Sequence, residues 1–421
     1  MKVYFSTSGC VSEFTEFQRF LKAIKAEQAL YLSEADIIIA HFCGISTESF
    51  QKIMPSMAIL QGLKENKKFS KAVKVFVGGC ASSVIDFKEE FPYVDGTFRR
   101  GHLLEDLAQF FDYNPTEYYN IASSYLNVVS IERGCKRKCG FCKQAYMDME
   151  VHSRPIELIK KDIGNVVSNG YKTLTLFAEN STEYGIDLPG KPKLIELLQE
   201  VCGIEKIVQI TLAGLCMDEL ACNPELLAFI RDSKKITEIQ LEVQSLDPVV
   251  RRLMNLSSSL EQVLEVLEQL KTKSIISDIM LGYPGETAEG VQRELNVIKA
   301  NNLYFLRTIM YDNTPLVYGS TLKQIPKDIA AKHSASVVNC ILELRKKQAN
   351  KMKGLTFQGI KTSDGNIKLL EYYACVDVPN SSNFQEGELV SVRITGLGEV
   401  NFMDPAQSFV LKGMVVDTDG K

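Results

Sequence analysis

The chain has 421 residues, of which 45% are apolar and 24% are charged, and its formal net charge is −4 at pH 7. This length predicts two or three domains with large cores, and the composition is ordinary for a soluble protein. No run of about 18 uninterrupted apolar residues occurs, and Met1 leads straight into a strand-like segment, so the sequence predicts a cytoplasmic protein without a membrane span or signal peptide.

The first hundred residues alternate predicted strands and helices. Short apolar strands separated by amphipathic helices are typical of a parallel, doubly wound sheet. We therefore predict a flavodoxin-like parallel-sheet domain over residues 1–112. The predicted elements are a strand at Lys2–Ser6, a helix at 13–29, a strand at 37–40, a helix at 49–62, a strand at 73–77 and a helix at 103–111.

A cysteine follows each of these three strands. Cys10, Cys43 and Cys80 lie in the loops Thr-Ser-Gly-Cys, His-Phe-Cys-Gly and Gly-Gly-Cys-Ala, with spacings of 33 and 37 residues that match two strand–helix units. Because parallel strands end on the same edge of a sheet, where ligands collect, three thiolates would converge there. This pattern predicts an iron–sulfur cluster with three protein ligands and one open iron. The alternative is three unrelated small apolar residues at strand ends.

After a polar linker at 112–124, the alternation of strands and helices resumes over residues 125–353. Six strands separated by helices predict an open (β/α)6 partial barrel, with its active site at the C-terminal ends of the strands. The predicted elements are strands at 128–132, Thr173–Phe177, 207–212, 238–243, 277–282 and 307–311 and a last helix at 330–353.

Residues 355–421 have no helical periodicity. Short β segments at 367–375, 389–394 and 409–415 alternate with Asp-Gly, Pro-Asn and Glu-Gly turns, which predicts a small antiparallel barrel of a kind that often presents substrates. This segment has 5 basic and 9 acidic residues. A module that holds RNA is expected to be basic, because neutralisation of phosphates supplies most of its affinity.

The run Gly-Cys-Lys-Arg-Lys-Cys-Gly-Phe-Cys follows the first predicted barrel strand and contains Cys135, Cys139 and Cys142. This C-x-x-x-C-x-x-C spacing offers three thiolates to a four-iron cluster that needs four ligands, so one iron stays open for a reactant. A zinc knuckle or scattered buried thiols are the alternatives, but no fourth cysteine or histidine is close. The nearest candidate, His152, is ten residues further on.

The other charged and sulfur-containing residues are less specific. Eleven cysteines without a regular framework predict a reducing compartment in which thiols bind metals. A basic rim is predicted on the cysteine loop, and it comprises Lys136, Arg137, Lys138 and Lys143. This rim is either a solvated surface or a site that attracts a phosphate or a carboxylate. The cysteines predicted to be buried small hydrophobic residues are Cys202, Cys216, Cys222, Cys340 and Cys375.

Across essentially the whole chain, these motifs resemble the radical S-adenosylmethionine (SAM) methylthiotransferases. The three strand-end cysteine loops are similar to the family's N-terminal cluster motifs. The barrel motifs occur in the family's order: Ser153-Arg154-Pro155, Glu179-Asn180 with Tyr184-Gly185, Val243-Gln244-Ser245 and Gly282-Tyr283-Pro284-Gly285-Glu286-Thr287. The chain departs from the family at Tyr146-Met147-Asp148-Met149, where Arg-Gly is common, and at Ser245-Leu246-Asp247, where Ser-Gly-Ser is usual.

The resemblance implies two [4Fe-4S] clusters, one on each cysteine triad, and SAM as cofactors. Cleavage of SAM at the second cluster would give a 5′-deoxyadenosyl radical that takes hydrogen from an unactivated carbon, and the substrate radical would then take a methylthio group from the first cluster. A low-potential electron donor such as flavodoxin or ferredoxin is implied, as is a TRAM-like C-terminal barrel. The implied SAM contacts are Phe141, Arg154, Glu179, Gln244 and Ser245.

Each implied SAM contact has a structural alternative. Phe141 could be a core aromatic residue, and Arg154 could pair with Glu150 on the surface. The polar residues Glu179, Gln244 and Ser245 could serve at the barrel mouth or as helix caps. No residue beyond the cluster ligands is predicted to act directly in catalysis.

The family's known substrates are an adenosine of the tRNA anticodon loop and a side chain of a ribosomal protein. The acidic C-terminal barrel favours a basic polypeptide, whereas the Lys/Arg-rich cysteine loop favours RNA. The prediction leans to a polypeptide, with tRNA as the alternative. Two further alternatives are a non-catalytic iron–sulfur or RNA-binding module and a radical SAM enzyme whose N-terminal cluster only relays electrons.

Overall fold

The computed structural model describes residues 1–7, 11–44, 47–65, 73–119, 127–144, 150–190, 193–313, 317–362, 365–379, 381–398 and 409–416. Cys10 lies outside these ranges, as do residues 145–149. The chain forms two compact units, Met1–Ser130 with Glu157–Asn165, and Ile131–Ile156 with Val166–Lys421. None of the helices in the described ranges has both the length and the hydropathy needed to cross a bilayer.

The first unit is built on a parallel sheet. Its strands are β1 (Lys2–Ser6), β2 (Glu27–Gln28), β3 (Ile37–His41), β4 (Lys74–Gly79) and β5 (Gly96–Arg99). Within the described residues their order is β2-β1-β3-β4-β5, which is the flavodoxin-like order and confirms the prediction. The helices are Val11–Ala23, Thr47–Gln51, Ile53–Glu65, Phe87–Glu90, Leu103–Leu107 and Thr116–Tyr119.

The apolar run Ile-Ile-Ile-Ala-His forms β3 at the middle of this sheet, and all five residues are buried. Successive side chains of a strand point to opposite faces. Ile37 and Ile39 therefore join a core that includes Phe17 and Phe20, whereas Ile38 and Ala40 join a core on the other face that includes Met57 and Leu60. Helices covering both faces explain why the strand has no polar alternation.

Some predicted boundaries in this unit were wrong. The helix predicted at 13–29 ends at Ala23, because Lys25 adopts a positive φ of 51° and turns the chain into β2. The helix predicted at 49–62 is two helices that meet at Lys52. The short edge strands β2 and β5 were not predicted, since two and four residues give too little alternation to detect.

A second parallel sheet has six described strands. The strands of residues 128–310 are β6 (Val128–Ser130), β7 (Glu132–Arg133), β8 (His152–Ser153), β9 (Thr173–Phe177), β10 (Gln209–Cys216), β11 (Ile236–Glu242), β12 (Ser274–Leu281) and β13 (Leu306–Met310). The order β13-β12-β11-β10-β9-β6 confirms the predicted partial barrel. The helices are Ile156–Ser168, Leu194–Cys202, Met217–Ala221, Pro224–Asp232, Pro248–Leu253, Leu260–Gln269, Ala288–Ala300 and Lys327–Met352.

Strand β10 extends four residues beyond the predicted end at residue 212. Its pairing with β11 shifts register between Leu212 and Leu215, and Gly214 there has a φ of +79°. A β-bulge of this kind re-aims the following side chains, which here include Cys216. The bulge was not predicted, because a single Gly in a strand does not specify the register of its partner.

The C-terminal residues form a closed barrel, as predicted. Its strands are β14 (Thr356–Lys361), β15 (Ile367–Leu369), β16 (Cys375–Asp377), β17 (Leu389–Leu397) and β18 (Val410–Val415). Their order around the described barrel is β14-β15-β16-β18-β17. Three details differ from the prediction: β14 was missed, the segment 367–375 is two strands with a turn between them, and β16 and β18 pair in parallel.

Candidate functional site

The cluster loop, residues 134–144, lies between the paired strands β7 and β8. It begins at Gly134, whose φ is +87°, and an added Cβ there would lie 1.8 Å from the carbonyl oxygen of Glu150. Only glycine fits this position. Cys135, Cys139 and Cys142 are all partly exposed on this loop, and the amide of Cys142 donates to the carbonyl of Cys139 over 3.1 Å.

Backbone hydrogen bonds hold the middle of the cluster loop. The amide of Gly140 donates to the Met254 carbonyl over 2.9 Å, and the Gly140 carbonyl accepts from the Gly319 amide over 2.7 Å. The Asn255 side chain donates to the carbonyl of Lys138 over 3.0 Å. These hydrogen bonds fix the loop against elements that are distant in sequence.

Arg137, at the centre of the loop, points into the protein. Its guanidinium contacts the carboxylate of Asp218 and the sulfur of Cys216 at the end of β10. Asp218 also accepts from the amide and hydroxyl of Ser258, over 2.9 and 2.6 Å, and lies 3.4 Å from Arg251. Burial alone would raise the pKa of Asp218, but these hydrogen bonds and the Arg137 charge outweigh it and hold the pKa well below its usual range.

Arg251 extends this network to the turn after β11. One guanidinium nitrogen donates to the carbonyls of Val243 and Ser245, over 3.0 and 2.9 Å. Asp218 thus connects the cluster loop to the turn that contains the predicted SAM contacts. Sequence reasoning missed Asp218 and Cys216, because both lie about 80 residues from Arg137 and belong to no recognised motif.

The predicted basic rim is only partly present. Lys136 and Lys138 are exposed, but Lys143 is buried and Arg137 is engaged by Asp218. The five cysteines predicted to be buried also differ among themselves. Cys216 and Cys340 are buried, Cys202 and Cys375 are partly exposed, and Cys222 is exposed because it lies in the turn between two short helices.

An acidic group surrounds the start of the cluster loop. Glu179 accepts from the amide of Gly134 over 3.1 Å, and Glu183 accepts from the amide of Lys136 over 3.0 Å. Burial, followed by the charges of these carboxylates and of Asp187 and Glu219, raises the pKa of the neighbouring Glu132 to about 10. Only Glu179 was predicted. Glu183 and Asp187 could have been sought in the same segment, since they stand four and eight residues after Glu179.

Gln244 has the backbone strain expected of a functional residue. Its φ is +62°, although it is not a glycine, and its side-chain Nε2 donates to the Glu242 carboxylate over 3.0 Å. Within the described residues its buried side-chain oxygen has no hydrogen-bond partner. Strained backbone and an unsatisfied buried acceptor are both typical of ligand sites.

The remaining predicted SAM contacts are fixed in different ways. The Ser245 hydroxyl is fully buried and donates to Glu294 over 2.6 Å, so any contact with SAM would compete with this bond. Phe141 packs against an apolar cluster that includes Met254 and Tyr283. The backbone of Arg154 is held by Ile131 and by the Tyr184 hydroxyl, over 2.9 and 2.7 Å. Contact of these residues with SAM stays a prediction.

In the first unit, two of the three predicted cluster ligands lie at one edge of the sheet. Cys43 follows β3 by two residues, and Cys80 directly follows β4. The two loops are hydrogen-bonded to each other, since the Ala81 amide donates to the Phe42 carbonyl over 3.1 Å. Cys80 is buried, Cys43 is partly exposed, and the third predicted ligand, Cys10, lies outside the described residues.

The donors of the cluster loop fit an iron–sulfur cube. In the part of the chain that the structure describes, no three His, Cys, Asp or Glu side chains are arranged to share one metal ion. Each thiolate of a cube binds a different iron atom, so its ligands need not meet at a point. Burial raises the pKa of Cys135 to about 12 and that of Cys139 to about 11, so these thiols are protonated until a metal binds them.

Comparison with known proteins gives both a domain match and full-length relatives. The Radical SAM superfamily model matches residues 129–298. The tRNA-2-methylthio-N(6)-dimethylallyladenosine synthase of Caldicellulosiruptor saccharolyticus is 26% identical over 381 residues, which are 83% of this chain and 79% of that protein. The ribosomal protein uS12 methylthiotransferase RimO of Dictyoglomus thermophilum is 24% identical over 365 residues, which are 81% of this chain and 82% of that protein.

Solved structures share the fold at low sequence identity. The cobalamin-dependent SAM radical enzyme OxsB matches with a TM-score of 0.55 and 12% identity over 81% of this chain and 56% of its own. The radical SAM methyltransferase TsrM of Kitasatospora setae matches with a TM-score of 0.51 and 10% identity over 73% of this chain and 74% of its own. At such identities the similarity concerns the fold alone.

Proposed function

Because the chain belongs to the radical SAM methylthiotransferase family, a group of sulfur-transferring enzymes that use SAM and [4Fe-4S] clusters, we propose that it inserts a methylthio group at an unactivated C–H bond of a polypeptide. In this proposal Cys135, Cys139 and Cys142 hold the cluster that binds SAM. Cys10, Cys43 and Cys80 hold a second cluster, which we call the auxiliary cluster. When bound, the first cluster would supply radical formation with SAM, and the auxiliary cluster would supply the methylthio group.

The residues around the cluster loop bind and orient SAM. Its methionine ammonium and its sulfonium are cationic, and the carboxylates of Glu179 and Glu183 give this place a negative potential. Glu132 is neutral at physiological pH because its pKa is raised to about 10, so it can donate a hydrogen bond. Phe141 and the apolar residues behind it exclude water from the reactive end of the site.

The choice of a polypeptide substrate depends on the charge of the C-terminal barrel. Two of its four described basic residues are buried or already paired: Lys361 is buried, and the Lys368 ammonium lies 2.5 Å from Glu238 of β11. Only Arg393 and Lys412 remain exposed. A surface with so few free cations suits a basic polypeptide better than RNA. The exposed acidic residues that accompany them are Glu371, Asp377 and Glu386.

A tRNA adenosine is the second candidate substrate, since relatives such as the synthase of Caldicellulosiruptor saccharolyticus are named for a tRNA product. On the cluster loop, however, only Lys136 and Lys138 are exposed, so half of the predicted basic rim is not available to phosphates. The acceptor proposed here is therefore a side chain of a polypeptide, and tRNA modification is an outcome that the experiment below detects.

The experiment labels the transferred methyl group in cells. The chain is expressed in a bacterial host fed methyl-deuterated methionine, and digested protein and digested tRNA are both searched by mass spectrometry for a labelled methylthio group in place of one hydrogen. Labelled peptides are expected. Their absence from cells that express Cys135→Ala/Cys139→Ala/Cys142→Ala, and their presence with the exposed-cysteine control Cys222→Ala, would assign them to this enzyme. Label confined to tRNA nucleosides would refute the polypeptide proposal.

Purified protein tests the clusters themselves. With four irons in each cluster, wild type is expected to bind about eight irons and Cys10→Ala/Cys43→Ala/Cys80→Ala about four. Reconstituted wild type with SAM and dithionite is expected to form 5′-deoxyadenosine. If it does not, the alternative of a non-catalytic iron–sulfur module is correct. A product in which the substrate is only oxidised or methylated, without a methylthio group, would instead indicate an auxiliary cluster that only relays electrons.

A further inference from the structure

His41 is a buried residue at the end of β3 that lies close to Thr7, just after β1, and to Gly79, the last residue of β4. It is the last residue of β3, two positions before Cys43, and is 3% exposed. Its Nδ1 lies 3.2 Å from the hydroxyl of Thr7, which is three residues before Cys10. The other side of its ring lies against Gly79, the residue directly before Cys80.

The imidazole ring of His41 can lie this close to Gly79 because glycine has no Cβ. An added Cβ at Gly79 would lie 2.2 Å from Cδ2 and 2.6 Å from Nε2 of His41, and the φ of Gly79 is +96°. The backbone before Cys80 is thus shaped to admit the imidazole. This contact places Nε2 beside the loop that carries a proposed cluster ligand.

Nε2 of His41 has no hydrogen-bond partner among the residues that the structure describes. When Nδ1 accepts from the Thr7 hydroxyl, Nε2 carries the single ring hydrogen. A buried N–H group requires an acceptor, and the proposed ligand set provides sulfur atoms at this edge of the sheet.

We propose that His41 is a positioning residue of the auxiliary cluster and that its Nε2–H donates a hydrogen bond to a sulfur atom of that cluster, either a cysteine thiolate or an inorganic sulfide. The inference rests on the proposed function, because it requires the auxiliary cluster. Hydrogen bonds to the sulfur atoms of a cluster raise its reduction potential by stabilising the more negative, reduced state. His41 therefore sets the potential of the auxiliary cluster and fixes its orientation.

The experiment uses full-length Cys135→Ala/Cys139→Ala/Cys142→Ala protein, which retains only the auxiliary cluster, labelled with ¹⁵N-histidine. Pulsed electron paramagnetic resonance of the reduced cluster is expected to show one weak ¹⁵N coupling. This coupling should persist in His333→Gln, whose imidazole contacts Glu286 instead. His41→Gln carries no ¹⁵N label at this position and should abolish the coupling. It should keep the midpoint potential of the auxiliary cluster near that of wild type, because a Gln side-chain N–H can replace Nε2–H.

His41→Phe removes the donor and is expected to shift the midpoint potential to a more negative value. An unchanged potential in an iron-replete His41→Phe variant would overturn the proposal, as would the absence of any ¹⁵N coupling in an iron-replete sample. A strong coupling would show that His41 is an iron ligand instead of a donor to sulfur. If the triple variant binds no iron at all, there is no auxiliary cluster, and the proposed function is refuted together with the role of His41. Loss of the coupling in iron-replete protein would refute the role of His41 alone.

Discussion

The two cysteine sites of this chain place their thiols by different means. On the cluster loop three cysteines lie within eight residues, whereas the strand-end set is spread over the first 80 residues. Both sites put a glycine of positive φ directly before a cysteine: Gly134 with φ +87° and Gly79 with φ +96°. In each case a side chain would collide with neighbouring atoms, so both positions require glycine.

The supports of the two sites differ. The cluster loop has little regular structure of its own and is held by hydrogen bonds to elements distant in sequence, which include the side-chain contact of Arg137 with Asp218. The strand-end site is held by the parallel sheet, in which the Phe42 amide donates to the Gly78 carbonyl over 2.8 Å. We therefore expect the loss of a buried polar side chain to damage the first site more than the second.

The largest effect is expected from Asp218→Ala. Its side chain is 5% exposed, and its removal leaves the guanidinium groups of Arg137 and Arg251 without their carboxylate. Breaking such a buried pair lowers the free energy of unfolding by about 3–5 kcal/mol. Urea denaturation followed by tyrosine fluorescence would measure it, since the chain has no tryptophan. The cluster loop should also bind less iron.

Asp232→Ala is the matched control for this prediction. Asp232 also pairs with an arginine, Arg231, but on the surface, where such pairs contribute little. This variant should unfold as wild type does and retain its iron. Equal destabilisation by both substitutions would contradict the role of Asp218 as the support of the loop.

An intermediate effect is expected from Gly79→Ala in the strand-end site. The positive φ and the contact with the His41 ring should lower the free energy of unfolding by about 1–3 kcal/mol. Gly62→Ala is the control, because an added Cβ in this exposed helical position meets no atom within 4 Å. That change should stabilise the same unit by about 0.4–1 kcal/mol. Tolerance of alanine at Gly79 would mean that the sheet edge can relax.

The effect expected from Glu132→Gln differs from the others because it depends on pH. The pKa of Glu132 is about 10 in the folded chain against 4.5 ordinarily, so between these values the folded state binds one more proton than the unfolded state. This contribution to stability is present at low pH and is lost as pH rises. In metal-free protein, the melting temperature of the variant should exceed that of wild type at pH 8, and the difference should shrink towards pH 5. A difference independent of pH would mean that Glu132 is ionised when folded.

Much of the architecture could be predicted from local patterns. The strand Thr173–Phe177 was predicted to the residue, and the cysteine spacing by itself indicated the family. Short elements such as β5 and the parallel pairing of β16 with β18 were missed, because two to four residues carry no usable periodicity. The polypeptide substrate and the SAM contacts stay predictions.

The sequence by itself determined the proposed ligands, since the cysteine spacing, the glycines before the cysteines and the alternation of strands and helices are local properties of the chain. Tertiary structure decided the surroundings of those ligands. Arg137 meets Asp218 across 81 residues, and His41 at the end of β3 comes to lie close to Thr7 after β1 and to Gly79 at the end of β4. Such contacts depend on strand order and register, which no short segment encodes, because they arise only when the whole sheet has formed.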